Sequence, residues 1–195
     1  MIAFVRGKFA RKTPAQVIVD VNGVGYELQV SLNTYSAINE KTEGQLFTYL
    51  HITENAQTLY GFFEQAEKEL FLQLISVSGV GASTARMMLS GMKPDEIVKA
   101  IVQGNIKQLE SIKGIGKKTA ERLVVELRDK LGKQSAEIFN TIGPVNSVEQ
   151  DAIQALTSLG IARPAAEAAL KKVLNQTGNN NTSLEEIIKL SLKNL

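Results

Sequence analysis

The sequence contains no cysteine and no tryptophan, and one histidine among 195 residues. Without cysteine there is no disulfide framework and no thiol chemistry. His51 lies in a strand-like stretch with no partner for a triad or a ligand set, so it reads as structural. No apolar run approaches the ~20 residues of a membrane span. Arg6, Lys8, Arg11 and Lys12 interrupt any leader-like run at the start, so the expected location is cytoplasmic. A paired acidic motif of the metal-holding kind is also missing. Asp20, Asp95, Asp129 and Asp151 are scattered over different elements, whereas a catalytic nuclease needs clustered carboxylates to hold metal ions. The expectation is therefore no catalytic residue, no metal and no cofactor. Charge of one sign is scarce overall, with a net of +2, but it is unevenly spread. Residues 1–62 balance at 0, residues 63–133 carry +3, and residues 134–195 carry −1. Grip on a phosphate backbone comes from local Lys and Arg rather than from the total.

What is present centres on Ser111-Ile112-Lys113-Gly114-Ile115-Gly116-Lys117-Lys118-Thr119-Ala120. Two glycines flank one apolar residue, two lysines follow, and Ala120, Leu123, Val124 and Leu127 give the next segment a helical face. The pattern predicts helix, tight hairpin, helix. Gly114 and Gly116 permit backbone angles closed to other residues and the close approach of another backbone. A helix starting there points free N–H groups outward, which makes an anion site, and Lys117 and Lys118 add charge. The natural ligand is a phosphate. Val77-Ser78-Gly79-Val80-Gly81-Ala82-Ser83-Thr84-Ala85 repeats the core thirty-five residues earlier, with Gly79 matching Gly114 and Gly81 matching Gly116. A nucleotide-binding P-loop does not fit: Ser111 and Lys118 stand where that motif needs Gly and Ser or Thr, and no strand precedes it. Two ordinary Gly-turn hairpins are the blander reading. Two copies in register weigh against it.

Around this repeat the chain divides into four parts. With 44% apolar residues it has enough material for two or three small cores. Residues 1–63 read as five short strands. Val17, Val19 and Val21 alternate with Ile18 and Asp20, Asn22-Gly23 signals a hairpin, and a short helix fits within 33–42. Such strands suit a closed OB-type barrel. Tyr26, Tyr60, Phe62 and Phe63 could stack bases but fit core positions better. Residues 64–133 are helical and hold both hairpins, with Pro94 opening one helix and Gly132 expected to stop the last. Residues 134–147, with Gly143-Pro144, read as a flexible linker. Residues 148–195 read as a minimal three-helix bundle. Ser147 with Gln150, and Ser183 with Glu186, are candidate capping boxes. The class is thus mixed, all-β followed by all-α, in several domains. Nothing basic clusters in the bundle, which suits docking to another protein.

The order of parts, with Gly23-Val24-Gly25-Tyr26-Glu27, Leu59-Tyr60-Gly61-Phe62 and 113–123 (Lys-Gly-Ile-Gly-Lys-Lys-Thr-Ala-Glu-Arg-Leu), closely resembles the RuvA family along the whole chain. The resemblance implies a non-catalytic, structure-specific protein of DNA recombination and repair, linked to the SOS response. It would hold a four-way Holliday junction open as a homotetramer, with one tetramer or two per junction left open. It implies phosphate binding through Gly79, Gly81, Gly114 and Gly116, helped by Ser83, Lys117, Lys118 and Arg122. The last bundle, UBA-like, would dock the hexameric ATPase RuvB, with 159–161 (Leu159, Gly160, Ile161) as contact candidates. RuvC, a junction resolvase, would join a larger complex. The resemblance also places an acidic pin at Glu54 and Asn55, where the family commonly has two acids. Four subunits would then present four carboxylates rather than eight, a weaker but working pin. Ser83 is a second departure, since the family often has Lys there; the second hairpin should then bear more of the salt-dependent affinity. The competing reading is a helix-hairpin-helix accessory of a nuclease or helicase acting on flaps or single strands.

Overall fold

A computed structural model describes residues 1–140, 147–177 and 183–194. Two compact units result, Met1–Ala136 and Glu137–Leu195. Among the described residues no helix is long and apolar enough to cross a membrane.

The first unit begins with β1 (Phe4–Thr13), β2 (Gln16–Val21), β3 (Val24–Val30), α1 (Leu32–Ile38), β4 (Glu43–Ile52) and β5 (Gln57–Phe62). The strands close in the order β1-β2-β3-β5-β4, which leaves no free sheet edge. Alternation set this up: Val17 and Val19 point inward to join Val5, Leu28, Val30, Ile38 and Leu46 in the barrel core. Asn22 and Gly23 both take left-handed angles (φ 51° and 87°), as a two-residue hairpin with the right-handed strand twist requires. The Gly23 N–H donates to Asp20 Oδ1 at 2.8 Å and braces the turn.

Helices follow directly: α2 (Gln65–Ile75), α3 (Ala82–Gly91), α4 (Pro94–Gln103), α5 (Ile106–Glu110) and α6 (Lys117–Asn140). Pro94 opens α4, where its missing N–H costs nothing, and Glu96 accepts from the Lys93 N–H at 3.1 Å. Sequence reading put a domain boundary at residue 63, yet Tyr60 and Phe62 of β5 belong to the same core as the helices. Phe71 of α2 is fully buried with ring centroids 4.9 Å from Phe62, 5.1 Å from Tyr60 and 5.6 Å from Tyr49. Barrel and hairpins are therefore one packed body.

One expectation fails. Gly132 does not stop the exit helix: α6 runs through it to Asn140, so residues 134–140 of the expected linker are helical. Gly132 lacks the left-handed angle that ends a helix, and an interior glycine costs only about 1 kcal/mol relative to alanine. The rest of that linker, 141–146 with Gly143-Pro144, lies outside the described residues.

Glu67 is the one charged side chain among the buried described residues. It accepts from the Ser31 hydroxyl and from the Thr34 hydroxyl, the latter at 2.6 Å. Burial pushes its carboxyl above the ordinary 4.5, the two hydroxyls offset part of that, and the Glu64 charge adds to it. The folded state therefore holds this proton more tightly than the unfolded chain does. Its stabilising share is complete below about pH 4.5 and is lost as pH rises through the folded value. Glu67→Gln removes the titration. Its melting temperature relative to the parent should climb as pH goes from about 4 to about 8. A difference that stays flat across that range would contradict the assignment.

The second unit packs α7 (Ser147–Ser158), α8 (Arg163–Thr177) and α9 (Leu184–Lys193) around Ala152, Leu170 and Ile187. The Ser183 hydroxyl caps α9 by accepting from the Glu186 N–H at 3.3 Å. The Ser147 and Gln150 side chains lie outside the described residues.

Candidate nucleic-acid interface

The two glycine motifs fold alike. Each follows a helix, α2 or α5, that is C-capped by a serine, Ser76 or Ser111. Gly79 and Gly114 have the same left-handed angle, φ 92°. The Val80 N–H donates to the Val77 carbonyl at 3.0 Å, and the Ile115 N–H to the Ile112 carbonyl at 3.0 Å. Val80 and Ile115 are each only 5% exposed, so the apolar residue between the glycines anchors the loop in the core. The first bond inside the following helix runs from Ala85 to Gly81 at 2.9 Å, and from Ala120 to Gly116 at 3.0 Å. The N–H groups of the three residues before each donor have no helical acceptor, and Gly81 supplies no side-chain cap for α3. The positive end of each helix dipole therefore faces outward through bare amides.

The glycines divide by role. Gly79 and Gly114 are required by their φ. Gly81 and Gly116 lie outside the left-handed region, and a Cβ on either would meet nothing within 4 Å. The fold alone does not demand glycine there. A second backbone approaching from outside would.

Ser83, Lys117 and Lys118 are exposed at the helix starts, and neither lysine is in an ion pair among the described residues. Arg122, which the resemblance implies as a phosphate contact, also makes contacts within the protein. Its Nη1 donates to the Ser78 carbonyl at 3.1 Å, and its Nε lies 3.5 Å from Glu126 Oε1. It thus ties the helix of the second hairpin to the loop of the first. Met87 of α3 closes the same seam, its Cε lying 3.2 Å from where a Gly114 Cβ would stand. Sequence reading paired the hairpins by likeness and missed this contact between them.

Glu54 and Asn55 sit at the exposed tip of the β4–β5 loop. Its base is closed by Thr53, whose N–H and hydroxyl both donate to the Ala56 carbonyl, at 2.8 and 3.1 Å. Tyr60 and Phe62 are core, and Tyr26 and Phe63 pack partly buried against the barrel interior. His51 sits among aromatics, 6.1 Å from Tyr49 and 6.3 Å from Tyr60 between ring centroids. In the second unit Gly160 ends α7 at φ 90°. The Gly160 N–H donates to Thr157 at 3.0 Å and the Ile161 N–H to Leu156 at 3.2 Å, a paired closure that leaves Leu159 64% exposed.

Barrel and duplicated hairpin together define a class: an OB-type barrel carrying a tandem helix-hairpin-helix. The comparisons with known proteins agree. Residues 1–61 match the family model described as RuvA N terminal domain, residues 71–129 the SAM-like Helix-hairpin-helix tandem, and residues 147–195 RuvA, C-terminal domain. Proteins from Bacteroides fragilis and Flavobacterium psychrophilum are each 43% identical to this chain, with both chains covered end to end. One from Cytophaga hutchinsonii is 43% identical over 99% of each chain. All three are described as Holliday junction branch migration complex subunit RuvA. The chain belongs to the RuvA family.

Proposed function

We propose that this chain is the junction-binding subunit of a branch-migration complex and that it is not itself an enzyme. The observation that carries this is the pair of matching hairpins, each ending in an uncapped, outward helix start, on the same rigid body as the Glu54 tip. The hairpins hold phosphates through the glycine loops of Gly79, Gly81, Gly114 and Gly116, by way of the free helix-start amides that follow Gly81 and Gly116, with Ser83, Lys117 and Lys118 beside them. Arg122 contributes by holding the two loops together and through its half-exposed guanidinium. Four copies around a junction would set four Glu54 carboxylates near its centre, where like charge repels phosphates and parts the strands. Such binding reads backbone shape rather than base sequence. The motor is a RuvB-type hexameric ATPase docked on the second unit, where Leu159 is an exposed apolar contact beside Gly160 and Ile161. A RuvC-type resolvase acts on the same complex.

The test is a gel-shift titration on a synthetic four-way junction with linear duplex of the same sequences as competitor. Strong junction preference that survives scrambling of the arm sequences is the expected result. Equal affinity for both would leave a generic backbone binder, and a preference for flaps would favour a nuclease or helicase accessory. Within this reading the second hairpin carries more charge. Lys118→Ala should lower the salt dependence of binding by about one unit of slope for each bound subunit, and Ser83→Ala by much less. A larger loss in the Ser83 variant would reverse that order.

A further inference from the structure

Four consecutive residues, 31–34, reach from the barrel to both helices that flank the first hairpin. Ser31 caps α1 by accepting from the Thr34 N–H at 3.0 Å, and its hydroxyl proton goes to Glu67 on α2. The Leu32 N–H donates to the Ser90 hydroxyl of α3 at 3.1 Å. Asn33 Nδ2 donates to the carbonyls of Leu89 at 2.5 Å and Met92 at 3.0 Å, closing the end of α3. The Thr34 hydroxyl donates to Glu67 and accepts from the Phe63 N–H at 3.0 Å, just where β5 hands over to α2. Arg86 adds a tie from α3 back to the barrel, donating to the Ala15 carbonyl at 3.1 Å and to Gln29 Oε1 at 2.6 Å.

Two kinds of force meet at this joint and do different things. The Phe71 aromatic cluster supplies burial, which is strong but without direction. Hydrogen bonds fix distance and angle. The hydroxyls of Ser31 and Thr34 each accept a backbone N–H, so both direct their protons at Glu67. That arrangement admits one orientation of α2 against α1. The Asn33 and Leu32 bonds then do the same for α3.

We infer that the first turn of α1, with Glu67, is a positioning device. It fixes the first hairpin relative to the β4–β5 tip and thereby sets the preference for a four-way junction over linear duplex. This rests on the junction-binding reading above. A linear duplex engages phosphates alone, so a small error in hairpin placement leaves its affinity intact. A junction must meet hairpins and acidic tip together, so the same error weakens it.

The experiment uses the full chain and two variants, Asn33→Ala and Glu67→Gln, each checked for folding by circular dichroism. Affinities for a synthetic junction and for linear duplex are measured at one salt concentration. Junction arm angles are followed by fluorescence energy transfer. The expected result is duplex affinity within about twofold of the parent and a junction preference reduced about fivefold, roughly 1 kcal/mol, with a broader arm-angle distribution. An unchanged preference in both variants would overturn the inference, as would junction and duplex affinities falling in parallel. Absence of any preference in the unsubstituted chain would overturn the junction reading as well, and it is told apart by appearing before any substitution.

Discussion

Gly81→Ala and Gly116→Ala are expected to weaken DNA binding about tenfold to a hundredfold each while leaving the melting temperature unchanged. The size follows from losing a hydrogen bond to a charged group, about 1.5–3 kcal/mol, when a methyl holds a phosphate away from the amides. The stability half follows from geometry: a Cβ at either position meets nothing, and neither glycine has a left-handed φ. Gly79→Ala and Gly114→Ala should instead lower the melting temperature as well. Both positions sit at φ 92°, a conformation that costs an alanine about 1–3 kcal/mol. Position 114 should be the worse of the two, because Met87 Cε stands 3.2 Å from the new methyl. Thermal melts beside binding titrations on the four variants separate the classes. If Gly81→Ala melted as early as Gly79→Ala, the role of close approach would be lost and all four glycines would be conformational.

The second large effect concerns folding. Phe71→Ala should cost about 3–5 kcal/mol, the range for deleting a fully buried aromatic ring. The more telling expectation is that barrel and hairpins fail together. Phe71 is the ring on which Tyr49, Tyr60 and Phe62 of the barrel converge, so its removal opens a cavity shared by both. Urea unfolding followed by tyrosine fluorescence, which reports the barrel, and by helical circular dichroism should shift by the same amount in both signals. A helical transition that moved while the tyrosine transition stayed in place would mean two independent domains, contrary to the common core.

The parts of this structure that a reader of the sequence can see are local. The hairpins announce themselves because glycine, one apolar residue and glycine lie side by side, and the duplication removes chance. The barrel shows through the alternation of Val17 and Val19 and through Asn22-Gly23. The stop at Gly132 was misread because glycine is only a mild helix breaker, and neighbours with good helix propensity carried α6 past it. The joint was invisible for a different reason. Ser31 and Glu67 are 36 residues apart, Asn33 and Met92 are 59 apart, and Arg122 finds Ser78 across 44. No period or spacing marks such partners. Glu67 in particular looks like any solvated helix acid until the barrel is placed against it. At the candidate site, Arg122 was recognised as belonging to the second hairpin, but its hold on the first emerges only in three dimensions.

The shared ring cluster also bears on how the chain is made. A barrel of residues 1–62 is complete in strand number when β5 is finished, yet Tyr60 and Phe62 still lack the side chain that covers them. Until α2 has left the ribosome, the nascent barrel exposes an aromatic face of the kind that draws chaperones or other chains. A protein truncated after β5 would carry that face permanently. Synthesis thus has no safe pause at the end of the last strand, and the first point at which the chain can rest folded comes only after the helices behind it have arrived.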